Sequence, residues 1–263
     1  MRLYYEVALR SYRRWIAYRA ATISGIITNC FFGCVRALIF IALYHARGEI
    51  AGYDLTDAVT FVALGQGMLM VLYLWGWWEV ADTIKMGSVV TDLSRPYDYY
   101  AYWLARDMGR AVYHLLFRGV TSFVVIALIF GARLPASLAQ WLLFALSLIL
   151  ATVTSFAFRF IINISAFWLL DVRGVGSAAA IAATLFSGFE VPLVYFPGWL
   201  LLVSNILPFR GMMQTPADIF LGHLVGAGAL AALAVQTIWC AVLILGGRAM
   251  VIAATRKVVV QGG

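Results

Sequence analysis

Residues 20–44 read AATISGIITNCFFGCVRALIFIALY, an apolar run interrupted by one charge, Arg36. At about 1.5 Å of rise per helical residue, a run of this length crosses the roughly 30 Å hydrocarbon layer of a bilayer. Taken as a membrane span, it sets the terms for the rest of the chain. The 263 residues are 63% hydrophobic and 12% charged, whereas an ordinary soluble domain carries about 25% charged residues. So little polar surface cannot cover a water-soluble core.

Upstream, residues 2–19 (RLYYEVALRSYRRWIAYR) contain no long apolar run. At about 100° per residue, Tyr4, Val7, Tyr12, Trp15 and Ile16 fall on one broad arc, and Arg2, Glu6, Arg10, Arg13 and Arg14 on the other. That pattern predicts an interfacial helix with its basic side toward lipid phosphates. No signal peptide is apparent, because the apolar h-region and small-residue cleavage site are missing.

Downstream, residues 58–78, 111–130, 138–158 and 224–245 each have the length and apolarity of a span. Residues 177–208 differ. Their first apolar run, 177–189, is too short to cross as a helix, and Glu190, Pro192, Pro197-Gly198 and Pro208 follow. Proline removes a backbone donor and clashes with the preceding turn. The segment is therefore read as a fifth span over 177–195, broken near its outer end, then a short re-entrant helix. Freed backbone groups there need protein or water partners. The expected fold class is an all-α integral membrane protein of one domain, with an N-terminal interfacial helix, six transmembrane helices, a broken fifth span and a short re-entrant extracellular helix.

The basic residues orient it. With the amino terminus inside, the inner segments hold Arg2, Arg10, Arg13, Arg14, Arg19, Lys85, Arg95, Arg106, Arg110, Arg173, Arg248, Arg256 and Lys257; the outer loops hold Arg47, Arg133 and Arg210. The asymmetry predicts that both termini lie in the cytoplasm. The net charge of +7 then reflects orientation, and no nucleic-acid partner is expected.

Catalytic signatures are missing. There is no GxxxxGK[ST] loop, no GxSxG elbow and no HExxH spacing. Cys30, Cys34 and Cys240 sit in apolar runs and read as packing residues, not a metal site. His45, His114 and His223 are far apart in sequence. The chain is therefore expected not to be an enzyme, and its function lies in passage, binding or assembly. Polar groups at membrane depth are functional candidates: Asn29, Arg36, Gln66 and Asn163 as a translocation path, or as bridges between helices. Arg118 and Arg159 read as snorkelling at the inner interface. Glu190 lines the outer mouth or pairs there with a basic group. Tyr73, Trp75, Trp77 and Trp78 mark the inner end of the second span as an aromatic belt.

Residues 84–96, IKMGSVVTDLSRP, lie in the inner loop 79–110. Gly87 suits a left-handed helix cap, Arg95 precedes proline and leaves the helical region, and Asp98 can cap the next helix. The stretch reads as a stiff corner between helices. Ile84-Lys85-Met86-Gly87 followed by Leu93-Ser94-Arg95-Pro96 resembles the cytoplasmic signature of bacterial ABC transporter type-2 (ABC-2) permeases. Gly109-Arg110, Ser165-Ala166-Phe167-Trp168, Ser187-Gly188, Pro192, Pro197-Gly198-Trp199-Leu200, Pro208, Pro216 and Gly222 resemble further pieces of that family in order.

The resemblance implies the membrane half of an ATP-driven exporter for an amphiphilic drug, lipid or peptide-like substrate. It pairs with a second permease, identical or related, and rests on cytoplasmic ABC ATPase subunits that carry ATP and Mg. By resemblance, residues 2–19 are the connecting helix, and Asp82, Lys85, Gly87, Asp92, Arg95, Pro96 and Asp98 belong to the segment that couples to the ATPase. The outer gate spans 186–208, with Phe186, Phe189, Glu190, Pro192, Tyr195, Phe196 and Pro197. A secondary transporter with a discontinuous helix and a non-transporting membrane scaffold are the alternatives.

Overall fold

The computed structural model describes residues 2–169 and 171–257, and every regular element among them is helical. The chain opens with α1 (Arg2–Ile16), turns at residues 17–18 and enters α2 (Arg19–Arg47). After α3 (Leu55–Leu72) come two short helices, α4 (Glu79–Lys85) and α5 (Val89–Leu93). Then α6 (Tyr99–His114) runs through one π turn, Leu115–Gly119, into α7 (Val120–Phe130). The remainder is α8 (Leu138–Ile164), α9 (Arg173–Phe186), α10 (Gly198–Ile206), α11 (Gln214–Leu221) and α12 (Gly226–Thr255).

Five of these helices are long and apolar enough to cross a membrane: Arg19–Ala46, Leu55–Leu72, Tyr99–Phe130, Leu138–Phe167 and Gly226–Thr255. Helix α9 is a shorter apolar helix of 14 residues. At about 1.5 Å per residue it is close to 21 Å long, less than a hydrocarbon core.

Helix α3 is the hub. It is apolar all round and buried along most of its length, and α2, α6, α7, α8 and α11 pack against it. Its start is fixed by a capping box, in which Asp54 accepts from the Asp57 N–H and Asp57 accepts from the Asp54 N–H. Such a box satisfies two otherwise orphaned donors. The outer helices α2 and α12 expose apolar rows such as Ile23, Ile27 and Phe31, or Leu230, Ile238 and Leu245. Side chains of that kind suit lipid contact, not water.

The second span ends at Leu72, short of the residue 78 expected from hydropathy. Tyr73 takes a left-handed conformation (φ 51°), and the aromatic segment leaves the helix axis. The carbonyls released at the helix end find specific partners. Arg110 donates to Met70 O and Val71 O, and Ser155 Oγ donates to Leu72 O. A guanidinium at a helix C-terminus also opposes the negative end of the helix dipole. Trp77 is thereby folded between α8 and α6, against Phe156 and Trp103, while Trp75 packs edge-on against Phe189.

Candidate functional site

The inner corner is built from α4 and α5. Helix α4 is docked on α8 by one amide. Asn163 Oδ1 accepts from Ala81 N, while its Nδ2 donates to Trp77 O and Arg159 O, all within 2.9–3.1 Å. Helix α4 ends where Gly87, at φ +73°, donates its N–H to Ile84 O. That left-handed backbone costs a glycine little and any other residue more. Helix α5 follows, and Tyr97 N–H donates to Arg95 O as the chain turns at Pro96. Asp98 then caps α6 by accepting from Ala101 N at 2.6 Å. The corner expected from the sequence is present, with the short helix α5 inserted in it.

The corner is tied to three other elements. Lys85 pairs with Asp171 at 3.3 Å, and Asp82 with Arg173 at 3.6 Å, linking α4 to the start of α9. The Arg173 N–H and the Lys85 ammonium hold the Asp171 carboxyl below the ordinary carboxylate range. Asp98 meets Arg248 of α12 at 3.3 Å and donates its N–H to the Tyr4 hydroxyl of α1. Asp92 faces Arg95 at 4.0 Å. The tip itself, Lys85 to Ser88 with Arg95 and Pro96, is exposed.

Behind the corner lies a buried ion triad. Asp107 accepts from Arg110 Nε at 2.8 Å and from Arg159 Nη2 at 2.8 Å. All three side chains are at most 6% exposed. The two guanidiniums lie over the rings of Tyr73 and Trp77. Arg159 therefore does not snorkel as expected: a carboxylate inside the protein holds it more cheaply than a reach to water. Arg118 likewise turns inward, donating to Asn29 Oδ1 at 2.8 Å. Asp107 escaped the sequence reading because residues 79–110 were taken as a loop. The one signal was its i,i+3 spacing to Arg110, which places both on one helical face.

The outer end is organised around Gln214 of α11. Its Oε1 accepts from Leu193 N, and its N–H donates to Ser187 O. Its Nε2 donates to Asp218 Oδ1 and to the Tyr53 hydroxyl, which in turn donates to Asp218. The chain from Ser187 to Pro197, which leaves the α-helix and makes one 3-10 turn at Leu193–Tyr195, is thus held by buried polar contacts that satisfy its freed backbone groups. Burial raises the phenol of Tyr53 above its ordinary range, with the Asp218 carboxylate adding to it. Tyr53 stacks on His223 at 4.5 Å, and His223 Nε2 lies 3.1 Å from Asp57. Gln214, Tyr53, Asp57 and Asp218 were not singled out by sequence. Only the i,i+4 spacing of Gln214 and Asp218 hinted at a shared face.

Arg36 of α2 reaches this region. It forms an ion pair with Glu190, donates to Phe189 O at 3.3 Å and lies 5.6 Å over the Phe189 ring. The hydroxyls of Tyr44 and Tyr195 make a second link from α2, at 2.5 Å. Phe189 and Pro192 are buried, Phe186, Tyr195 and Phe196 half-buried, and Glu190 and Pro197 exposed.

The four polar residues proposed for a path are not brought together. Asn29 and Gln66 meet in mid-span, where Asn29 Nδ2 donates to Gln66 O at 3.0 Å. Asn163 sits at the inner corner and Arg36 at the outer end. Among the described residues no group of His, Cys, Asp and Glu could hold a metal ion.

Comparison with known proteins gives one family: a model described as ABC-2 family transporter protein matches residues 32–262. No curated protein and no solved structure matches the chain.

Proposed function

Because the chain belongs to the ABC-2 transporter family and is a multi-pass component of a transporter, we propose that it is the permease half of an ATP-driven exporter. The family implies an ABC ATPase partner. In this reading α4 and α5 form the coupling segment, both termini face the cytoplasm across a bacterial inner membrane, and ATP and Mg sit on the ATPase chain. Helix α9 with residues 187–197 makes the fifth of six crossings, broken near its outer end, and α10 re-enters from outside. A second permease, identical or related, completes the pathway for an amphiphilic substrate.

The observation that supports this best is the wiring of the exposed corner. Asn163 joins α4 to α8 through a buried amide, so a displacement of α4 would carry α8 with it, whereas Asp171 and Arg173 tie α4 to the start of α9 only through exposed ion pairs. The exposed ion pairs are worth at most about 1 kcal/mol each, too little to serve as the lever. The stiffness must come from the left-handed turn at Gly87, the X-Pro bond at Pro96 and the amide dock at Asn163.

Purification with its ATPase tests this reading. Gly87→Pro forces φ near −65° on a backbone that needs +73°. It is expected to abolish substrate export while the membrane domain still folds. Arg95→Ala is expected to weaken ATPase capture or to leave hydrolysis running without export. Unaltered export in both variants, or movement driven by an ion gradient without any ATPase, rules the reading out.

The Arg36–Glu190 pair, with the Tyr44–Tyr195 link, is read as the latch of the outer gate. Arg36→Glu and Glu190→Arg are each expected to raise basal leak in proteoliposomes. The double exchange should restore closure, with a coupling of about 0.5–1 kcal/mol, the low end for residues in contact because Glu190 is half-exposed. Leak in the double variant equal to the sum of the singles would remove the latch.

A further inference from the structure

A cavity of about 160 Å³ opens between the C-terminal half of α1, residues 73–79 and α6. Arg14, Arg106 and Arg110 line it, together with the rings of Trp15, Tyr73 and Trp77. Each carboxylate near it is shared by two guanidiniums. Glu79 takes Arg14 at 3.6 Å and Arg106 at 3.0 Å, and Asp107 takes Arg110 and Arg159. Two positive charges are left without a carboxylate in this cluster. The deeper guanidiniums are at most 6% exposed and share the single charge of Asp107, and buried positive charge in excess of its counter-charge is costly. An anion with several acceptor oxygens offsets that cost through charge-assisted hydrogen bonds.

We infer that this cavity holds the headgroup phosphate of one anionic phospholipid. The chemistry recognised is a phosphate oxyanion, and the surroundings favour a lipid as its source. The cavity lies beneath an interfacial helix, its walls are indole and phenol rings of the kind that populate the headgroup zone, and Arg14 stands half-exposed at its rim. Basic pockets between spans on the cytoplasmic side suit anionic headgroups. The placement at the inner leaflet rests on the orientation proposed above. A phosphate here would join Arg14 of α1 to Arg106 of α6 beside Glu79, the first residue of α4. The lipid would thus clamp the interfacial helix to the base of the inner corner.

The test is native mass spectrometry of the full chain released from nanodiscs of equal parts phosphatidylglycerol and phosphatidylcholine. One phosphatidylglycerol per chain should be retained in preference to phosphatidylcholine. Arg14→Gln with Arg106→Gln should cut that retention at least about tenfold, as two lost phosphate contacts imply. Arg10→Gln with Arg13→Gln removes the same charge from exposed positions of α1 and should leave retention intact. Arg14→Gln alone, at a half-exposed rim position, should show a smaller loss with an unchanged melting profile. Equal loss in both double variants, no loss in the cavity variant, or no preference in the parent protein overturns the site. Displacement of the lipid by inorganic phosphate at matched concentration would assign the cavity to a free anion instead. None of these measurements involves an ATPase, so they stand or fall apart from the export reading.

Discussion

Asp107→Ala is expected to destabilise the membrane domain by about 3–5 kcal/mol, the cost of removing one partner from a buried ion pair. The carboxylate is 2% exposed and accepts four hydrogen bonds, two from each arginine. Without it, Arg110 and Arg159 face one another in a region of low dielectric. The damage should spread, because Arg110 also holds Met70 O and Val71 O at the end of α3. Losing those contacts frees the aromatic segment from α8. Yield of monodisperse protein in detergent and its melting temperature are the measurements. Asp107→Asn keeps a hydrogen-bond acceptor but loses the charge, and should fall between parent and alanine variant. A parental melt for Asp107→Ala would show that the triad contributes nothing net.

Gly109→Ala should be nearly as damaging, although alanine is ordinarily the better helix former by about 1 kcal/mol. A Cβ at residue 109 would lie 2.8 Å from the carbonyl carbon of Ala8 and closer still to its oxygen. Those are backbone atoms of α1 and cannot rotate aside. Overpacking of this kind costs about 1–3 kcal/mol or more, which outweighs the propensity gain. The expected result is that α1 lifts from α6 and the Ser11–Arg106 hydrogen bond of 2.7 Å is lost. Hydrogen exchange should then rise over Arg2–Ile16 and little elsewhere. Gly228→Ala is the control, since a Cβ there meets only the Leu224 side chain at 3.9 Å. Unchanged protection of α1 in Gly109→Ala would show that the two helices can part without cost.

The helical elements were legible where apolarity alone decides them. The runs in α2, α8 and α12 announce themselves because every exposed position must suit lipid. The inner corner was legible for a different reason: Gly87, Pro96 and Asp98 restrict the local backbone whatever surrounds them. The end of α3 was not legible. Leu72 to Trp78 is as apolar as a span, and only partners from α6 and α8 decide that its carbonyls turn away. Arg159 was misjudged on the same ground. A lone arginine near an interface looks free to snorkel until Asp107, 52 positions away, is placed beside it. The role of Gln214 was not legible, since its i,i+4 spacing to Asp218 marks a shared helix face but gives no sign that its amide will organise residues 187–193.

Composition and hydropathy by themselves determined that this is a helical membrane protein, and its ordered motifs resemble the ABC-2 family whose model matches residues 32–262. Those properties depend on the average chemistry of a segment or on the conformational limits of single residues, and both are written locally. Only the tertiary structure decided which charges are paired, where the third helix stops, and how the corner is tied to α1, α8, α9 and α12. Those outcomes depend on the meeting of groups far apart in the chain, where burial makes each unpaired charge or carbonyl costly and so selects one arrangement.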